Sequence, residues 1–413
     1  MTNRATSILD SPAIGTGQPI RPCGDTLRPD PPTPPASGPT LGVTLSGGGF
    51  RATFAGLGAL RYLADAGLLS SVRYSSSVSG GSITNGLLGC HWAALRERRF
   101  SAEAFDELLV DPVVKLVSSR SLKGALLRRV WRIAGSKTRT DLLGDEMDRW
   151  FFDGKLLEDL DPEVRFVINA ANIVTGVRFS FERDIVGDYV VGLASTAGTG
   201  LRVAQAAAAS AAVPGAFAPW PVRDIRFPCA RQEPVLLDGG VYDNTGLEVL
   251  DGDGYAGVFT VTMNAGGLLR PGSYGKFPLI RDLSRANALL YRQSTALRTR
   301  MMVAAFKRAD QATAGAALPA GARRGVLVAL ATAFREDRGA LAAWRAAFEE
   351  ARTWKGEDLA YVPTVFDKLD EALCRRLVYR GWWLTGAAVA ANYPDMAPQP
   401  EELRPPPLPR GGS

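Results

Sequence analysis

Histidine is almost missing from this chain: 413 residues carry one, His91. A hydrolase built on the usual serine–histidine pair would have to use that residue or none. Cysteine is also sparse. Cys23, Cys90, Cys229 and Cys374 are scattered with no C-x-x-C pair, so neither a disulfide framework nor a zinc site is indicated. No apolar run reaches the length of a membrane span, and the Ala-rich stretch from Ala204 is broken by Ser210 and Pro214. The first residues, MTNRATSILDSPAIG, lack the charged-then-apolar layout of a secretory signal. These absences lead us to expect a soluble, cytoplasmic protein that touches membranes only from outside. The net charge of +6 is modest for the length. It bounds partners less than the way the charge is distributed.

What is present concentrates in Leu41 to Leu88. Val43-Thr44-Leu45 reads as a buried strand, followed at once by Gly47, Gly48 and Gly49, then Phe50 and Arg51. Leu57, Leu60, Leu63 and Ala64 keep the spacing of a helix with one buried face, which stops at Asp65-Ala66-Gly67. A second strand, about Val72 to Ser76, runs into Ser77-Val78-Ser79-Gly80-Gly81-Ser82, and helical spacing resumes from Ile83. This order is one βαβ unit with a further helix. Its two strand-to-helix turns fall on one edge of a parallel sheet.

A glycine run that opens a helix exposes backbone N–H groups and the positive end of the helix dipole, so it can hold an anion. That anion is a phosphate or the oxyanion of a tetrahedral acyl intermediate. No Gly-Lys-Ser/Thr closes the loop as a phosphate-binding loop requires, and GGGFRA does not supply G-x-G-x-x-G. A serine on a sharp strand-to-helix turn presents its hydroxyl as a nucleophile. SVSGG approximates that form with Ser77 at the first position in place of glycine. Taken alone, a serine–glycine run is equally an ordinary turn.

Further on, Lys115 to Arg139 holds eight basic residues and no acidic one. At helical spacing Leu122, Leu126, Val130 and Ile133 share a face, with Arg128, Arg129 and Arg132 on another. Such a segment can lie on an anionic lipid surface with Trp131 in the interface, or serve as a surface helix packed on the core. No nucleic-acid module accompanies it. Val164 to Ala170 and Arg178 to Glu182 alternate as strands around a turn at Thr175-Gly176, with Asn169 and Asn172 as turn or sheet-end residues. Ala204 to Ala218 is a small-residue helix ended by Pro214-Gly215, suited to close packing on a sheet. Then an apolar strand, Pro234 to Leu237, delivers Asp238 into the turn Gly239-Gly240. A helix continuing from Ser79 would carry His91 ~18 Å along its axis, out of reach of the serine hydroxyl. A serine enzyme of this sequence must therefore use a carboxylate or a lysine, and Asp238 is the best-placed carboxylate.

GGGFR at Gly47 to Arg51, SVSGGS at Ser77 to Ser82 and DGG at Asp238 to Gly240, in that order, resemble the patatin-like phospholipase family of serine lipid acyl hydrolases. AASAAVPGAFAPW from Ala208 resembles the segment that precedes the family's aspartate. The resemblance covers about residues 41 to 265, and Ser77 departs from the glycine common there. It implies a three-layer α/β/α fold with a mostly parallel central sheet and a helical C-terminal flank. It also implies a Ser79–Asp238 dyad, an oxyanion hole at Gly47, Gly48 and Gly49, no cofactor and no metal. Arg51 is expected to fix the glycine loop or to meet a headgroup phosphate. The division expected is a Pro-rich disordered leader at 1–40, a catalytic domain at 41–269, a helical cap at 270–395 and a second Pro-rich disordered tail at 396–413. The substrate implied is a lipid or phospholipid acyl ester. An esterase or acyltransferase on other acyl esters, and a catalytically silent lipid-surface binder, are the alternatives. The oligomeric state is left open.

Overall fold

The computed structural model describes residues 23, 31–128, 137–267, 278–312, 317–350 and 359–408. Ten strands form one sheet: β1 (Leu41–Leu45), β2 (Val72–Val78), β3 (Arg165–Asn172), β4 (Val177–Phe181), β5 (Ile185–Asp188), β6 (Gly192–Ser195), β7 (Trp220–Pro221), β8 (Val235–Asp238), β9 (Phe259–Asn264) and β10 (Gly325–Ala329). The order along it is β10-β9-β1-β2-β3-β4-β5-β6, with β8 also pairing β3 and β7 pairing β8. The five central strands β10-β9-β1-β2-β3 run parallel, and an antiparallel wing of β4, β5 and β6 extends from β3. Six helices bear on the site: α1 (Gly49–Asp65), α2 (Gly80–Glu97), α3 (Val203–Ser210), α4 (Gly240–Asp243), α5 (Pro278–Asp310) and α6 (Glu371–Asn392).

Period-two alternation sorts the side chains to two sides. On β3, Phe166 and Ile168 enter the large core beneath α1, α2, α3 and α6, while Val167 enters a smaller core with Tyr74, Val249, Leu250 and Val258 on the opposite face. The architecture is therefore α/β with helical layers on a central sheet that is parallel where it carries the site. α1 and α6 approach through glycine. A Cβ on Gly58 would stand 2.0 Å from the Val378 carbonyl oxygen, and one on Gly381 would stand 2.1 Å from that of Ala55. Close axial contact of this kind requires residues without side chains, and Trp382 and Trp383 then fill the flanks, fully buried.

Four expectations change. The cap expected at 270–395 is not helical throughout. Val326, Leu327 and Val328 sit in β10, which extends the main sheet beside β9, where the β-branched Val326 and Val328 are buried and Leu327 is half-buried on the other face. The described part of the leader is tied down: the Thr33 carbonyl accepts from Arg73 Nε at 2.7 Å and that of Thr40 accepts from the Phe259 N–H at 2.9 Å. The described part of the tail docks as well. Leu403 is buried, the Arg404 N–H donates to Asp65 at 2.9 Å, and Arg61 Nη2 donates to the Arg404 carbonyl at 2.8 Å. Finally, Cys23 and Cys229 form a disulfide. Their 206-residue separation hid it, since sequence spacing reveals only local pairs. Of the basic segment Lys115 to Arg139, residues 129–136, among them Arg129, Val130, Trp131, Arg132 and Ile133, lie outside the described residues. Among the described residues no helix is long and apolar enough to cross a membrane.

Candidate active site

β1 and β2 are adjacent and parallel, with Leu45 opposite Ser77, so the loops leaving their C-terminal ends meet. At the end of β2, Ser79 has φ 52° and ψ −122°, between strand geometry before it and α2 after it. A non-glycine residue held there is strained, and it persists because its surroundings fix it. The Ser79 N–H donates to Ser210 Oγ at 2.9 Å, and Ser210 Oγ in turn donates to the Asn169 carbonyl at 2.6 Å. Ser82 Oγ lies 2.9 Å from Ser210 Oγ and 3.1 Å from Ser77 Oγ, which also accepts from Asn85 Nδ2 at 2.9 Å. Asn169 Nδ2 donates to Ser76 Oγ and to the Ser77 carbonyl, each at 2.9 Å. This buried network satisfies the Ser76 and Ser77 hydroxyls, which would otherwise oppose burial of β2. Ser77 is therefore a member of the network. It precedes the turn itself, which explains why glycine is dispensable there.

Asp238 ends β8, opposite Ala170 of β3. Its N–H donates to the Ala212 carbonyl at 3.0 Å, and the Gly239 N–H donates to the Ser210 carbonyl at 3.1 Å. The end of α3 thus holds both the serine turn and the aspartate turn. Burial pushes the Asp238 carboxyl up to about 6, against the Gly240 N–H, 2.8 Å from Oδ1, and the Ser79 hydroxyl, both of which favour its ionised form. Ser79 is 3% exposed and Asp238 1%. The serine and the carboxylate therefore face each other in a closed site.

The glycine loop lies against the serine. A Cβ on Gly47 would stand 3.1 Å from Ser79 Cβ, and one on Gly80 would stand 2.0 Å from the Gly49 carbonyl oxygen. The N-termini of α1 and α2 thus converge, and Thr53 Oγ1 links them by donating to the Gly80 carbonyl at 2.8 Å. Gly48, at φ 148°, and Gly49, at φ 60°, hold the left-handed turns that aim the loop. The three N–H groups differ. That of Gly47 is taken by the Asn244 carbonyl at 3.0 Å, whereas those of Gly48 and Gly49 meet no acceptor among the described residues. Two donors at a helix N-terminus remain beside Ser79. Gly47 therefore shapes the loop without supplying a donor.

Arg51 is 1% exposed, and its guanidinium bonds to the segments after β9 and before α6. Its Nε donates to the Ala265 carbonyl at 2.8 Å, Nη1 to the Val362 carbonyl, and Nη2 to Thr364 Oγ1 at 3.0 Å. Burial lowers the guanidinium to about 10, still protonated at neutral pH. Of the two expected roles the contacts fit the fixing of the loop. His91 sits well along α2, its Nδ1 3.0 Å from the Leu87 carbonyl of the preceding turn, and takes no part. Asn172 holds Asp188, Nδ2 to Oδ2 at 2.8 Å, as a sheet-end residue.

Sequence reasoning missed Ser210, Asn244 and Arg298. Asn244 lies between the loops: its Oδ1 would be 2.3 Å from a Cβ on Gly47 and 2.7 Å from one on Gly240. Arg298 of α5 pairs with Asp243 at 3.5 Å, with Asp251 at 3.1 Å and with Glu248, and its guanidinium stands 5.5 Å from the Tyr242 ring centre. The only sequence signal for these residues was proximity to the aspartate turn for Asn244.

Residues 43–251, half of the chain, match the family described as Patatin-like phospholipase. No curated protein matches the chain in sequence. Among solved structures, the chain is similar to the human GIVD cytosolic phospholipase A2, with a TM-score of 0.52 and 13% identity over 89% of this chain and 61% of that one. The same enzyme in complex with methyl gamma-linolenyl fluorophosphonate gives a TM-score of 0.51 and 15% identity over 87% of this chain and 59% of that one. The chain thus spans about three-fifths of the length of these structures, and at such identities the likeness is one of fold.

Proposed function

The chain belongs to the patatin-like phospholipase family, and from that premise we propose that it hydrolyses acyl esters of phospholipids through a Ser79–Asp238 dyad. The observation that carries this is Ser79, held at positive φ on a strand-to-helix turn, with its hydroxyl bonded to the raised carboxyl of Asp238. Ser79 Oγ attacks the ester carbonyl carbon while its proton passes to the Asp238 carboxylate. The carbonyl oxygen becomes an oxyanion, held by the N–H groups of Gly48 and Gly49 with the N-terminal dipole of α1 behind them. As the C–O bond breaks, the leaving alcohol takes the proton from Asp238. Water then gives a proton to Asp238 and attacks the acyl-serine, and Ser79 recovers that proton as the fatty acid departs.

A carboxylate is a weak base for a serine hydroxyl. Raising it to about 6 narrows that gap, and two N–H donors lower the cost of the charge it creates. The dyad does not choose the alcohol, so the phospholipid assignment rests on family membership and the dyad on geometry. A contribution of the basic segment Lys115 to Arg139 to membrane contact belongs to the same reading.

A short-chain nitrophenyl ester assay on the wild type, Ser79→Ala and Asp238→Asn tests the dyad. Both variants should lose nearly all turnover while their thermal unfolding shows an intact fold. Equal rates from all three would sink it. Phosphatidylcholine labelled in one acyl position or the other then reports which ester is cut.

A further inference from the structure

Seven large apolar side chains are conspicuously exposed among the described residues, and five of them, Leu289, Leu290, Leu297, Met301 and Val303, belong to α5. Leu290 is 66% exposed, Met301 55%, Leu297 54% and Leu289 47%. Leu290, Leu297 and Met301 follow at seven and four residues, which places them on one stripe of the helix, with Leu289 beside it. Scattered exposed leucines are ordinary, but a run of them on one helix face marks a contact surface.

The face about a quarter turn round this helix from the stripe is committed to the candidate active site. Tyr291 meets the Asp238 turn, its Cε1 2.4 Å from where a Cβ on Gly240 would stand. Arg298, one helical repeat further, holds Asp243, Glu248 and Asp251 just beyond α4. Met302, Ala305 and Ala309 continue that inner face and are buried. One helix therefore carries both the contacts to the Asp238 turn and, on an adjoining face, the exposed apolar stripe.

We infer that the outer face of α5 docks the enzyme on an anionic phospholipid surface. The inference rests on the lipid-hydrolase reading for the origin of the substrate, and on three observations of α5 for the surface itself. The apolar stripe suits the acyl boundary of a bilayer. Among the described residues of α5 the exposed charges are Arg292, Arg300, Lys307 and Arg308 against Asp310, an excess of cations that suits anionic headgroups. The same excess opposes a second copy of the chain as occupant, since two such faces would bring arginines against arginines. Finally, docking there sets the site against the lipid it must draw from.

The test uses the full chain carrying Ser79→Ala, so that vesicles stay intact, with Lys115 to Arg139 left unchanged. Sedimentation with vesicles of phosphatidylglycerol or of phosphatidylcholine is compared for three forms. One has no further change, one carries Leu290→Asp, Leu297→Asp and Met301→Asp, and one carries Arg292→Glu, Arg300→Glu and Lys307→Glu. Affinity for phosphatidylglycerol should fall at least about tenfold in both altered forms. Only the apolar set should weaken binding to phosphatidylcholine. Thermal unfolding, and turnover of a soluble nitrophenyl ester by the same sets in a chain with Ser79, should be unchanged. Phosphatidylglycerol affinity within twofold of the parent in both forms would overturn the assignment. So would loss of a dimer with vesicle binding intact, which would give the face to a second copy. If binding falls as expected but ester turnover does not depend on Ser79, the docking surface stands and the hydrolase reading fails.

Discussion

The Gly47 N–H and the Asn244 carbonyl oxygen are hydrogen-bonded at 3.0 Å, so the first of the three loop glycines has no donor left for substrate. The bond ties the loop after β1 to the segment after Asp238 and leaves Gly48 and Gly49 as the two free donors. Gly48 is the position where a side chain does most harm. At φ 148° any Cβ is strained, and it would stand 2.8 Å from the Ala265 carbonyl oxygen, a backbone atom that cannot swing aside. Gly48→Ala should lower kcat on a soluble ester by roughly 10²–10³, the usual cost of an oxyanion donor, with a smaller change in KM. Steady-state kinetics alongside circular dichroism separates that loss from unfolding.

Burial of Asp238 makes two pH-dependent predictions of opposite sense. Activity needs the carboxylate, so kcat/KM should rise with pH through about 6 and then level. Stability runs the other way. The folded-state value lies near 6 against an ordinary 3.8, so between these pH values the native chain keeps a proton that the unfolded chain has lost. Stability from this group therefore falls as pH rises through that window and stays lower above it. Asp238→Asn, whose Oδ1 can still accept from Gly240, should be inactive and yet more stable at pH 7–8, by an amount on the order of 1–3 kcal/mol. Thermal unfolding of both proteins at pH 4 and pH 8 checks this. An equal difference at the two pH values would contradict it.

Ser210 is the position where a structural residue should register in catalysis. Its hydroxyl receives the Ser79 N–H and its carbonyl receives the Gly239 N–H, so one residue holds both halves of the proposed dyad. Ser210→Ala leaves the Ser79 N–H buried without an acceptor, at a cost of about 1–3 kcal/mol. It also frees the serine turn to relax from its strained φ. Misplacement of this kind can cost about 10²-fold in rate, and it should appear in kcat with KM nearly constant. The acid limb of the pH profile should stay near 6, since Asp238 keeps its own burial. A purely structural Ser210 would lower the unfolding temperature and leave kcat alone.

The opening βαβ unit, Ser79 and Asp238 were legible because each rests on a local pattern: a change of hydrophobic period, a glycine turn after a strand, a carboxylate at a strand end. Elimination of His91, which on a continuous helix cannot reach back to Ser79, left a carboxylate or a lysine as the base, and the resemblance of the three ordered motifs to the family is what pairs Ser79 with Asp238. Ser210 was hidden by its setting in AQAAAAS, where a serine among alanines looks like a tolerated small residue. Its role comes from a contact 131 positions away in the chain. The loss of the Gly47 donor depends on the carbonyl of Asn244, and backbone atoms leave no mark in a sequence. β10 was missed because VLVAL follows a long helix in Ala-rich surroundings and its half-buried face carries Leu327 and Ala329, so the sequence shows no polar alternation although the burial does alternate.

The Cys23–Cys229 bond was invisible for a related reason, and it makes the last prediction. Both partners are pinned to the same turn beyond β5: the Cys23 N–H donates to the Tyr189 carbonyl and the Cys229 N–H to that of Val191, each at 2.9 Å. Two segments far apart in sequence are thereby held side by side, and the disulfide closes a loop of 206 residues. A cross-link of that span removes freedom mainly from the unfolded chain, and its loss typically costs about 2–4 kcal/mol. Cys229→Ser, or reduction, should therefore lower the unfolding temperature while leaving ester turnover at 25 °C nearly unchanged, since Ser79 and Asp238 make no contact with either cysteine. Disulfides persist in oxidising compartments and are rare in the cytosol. The bond thus favours an oxidising setting over the cytoplasmic one expected from the absence of a signal-like segment. Thiol titration of the denatured, non-reduced protein decides between them: two reactive thiols, Cys90 and Cys374, if the bond forms in the native host, and four if it does not.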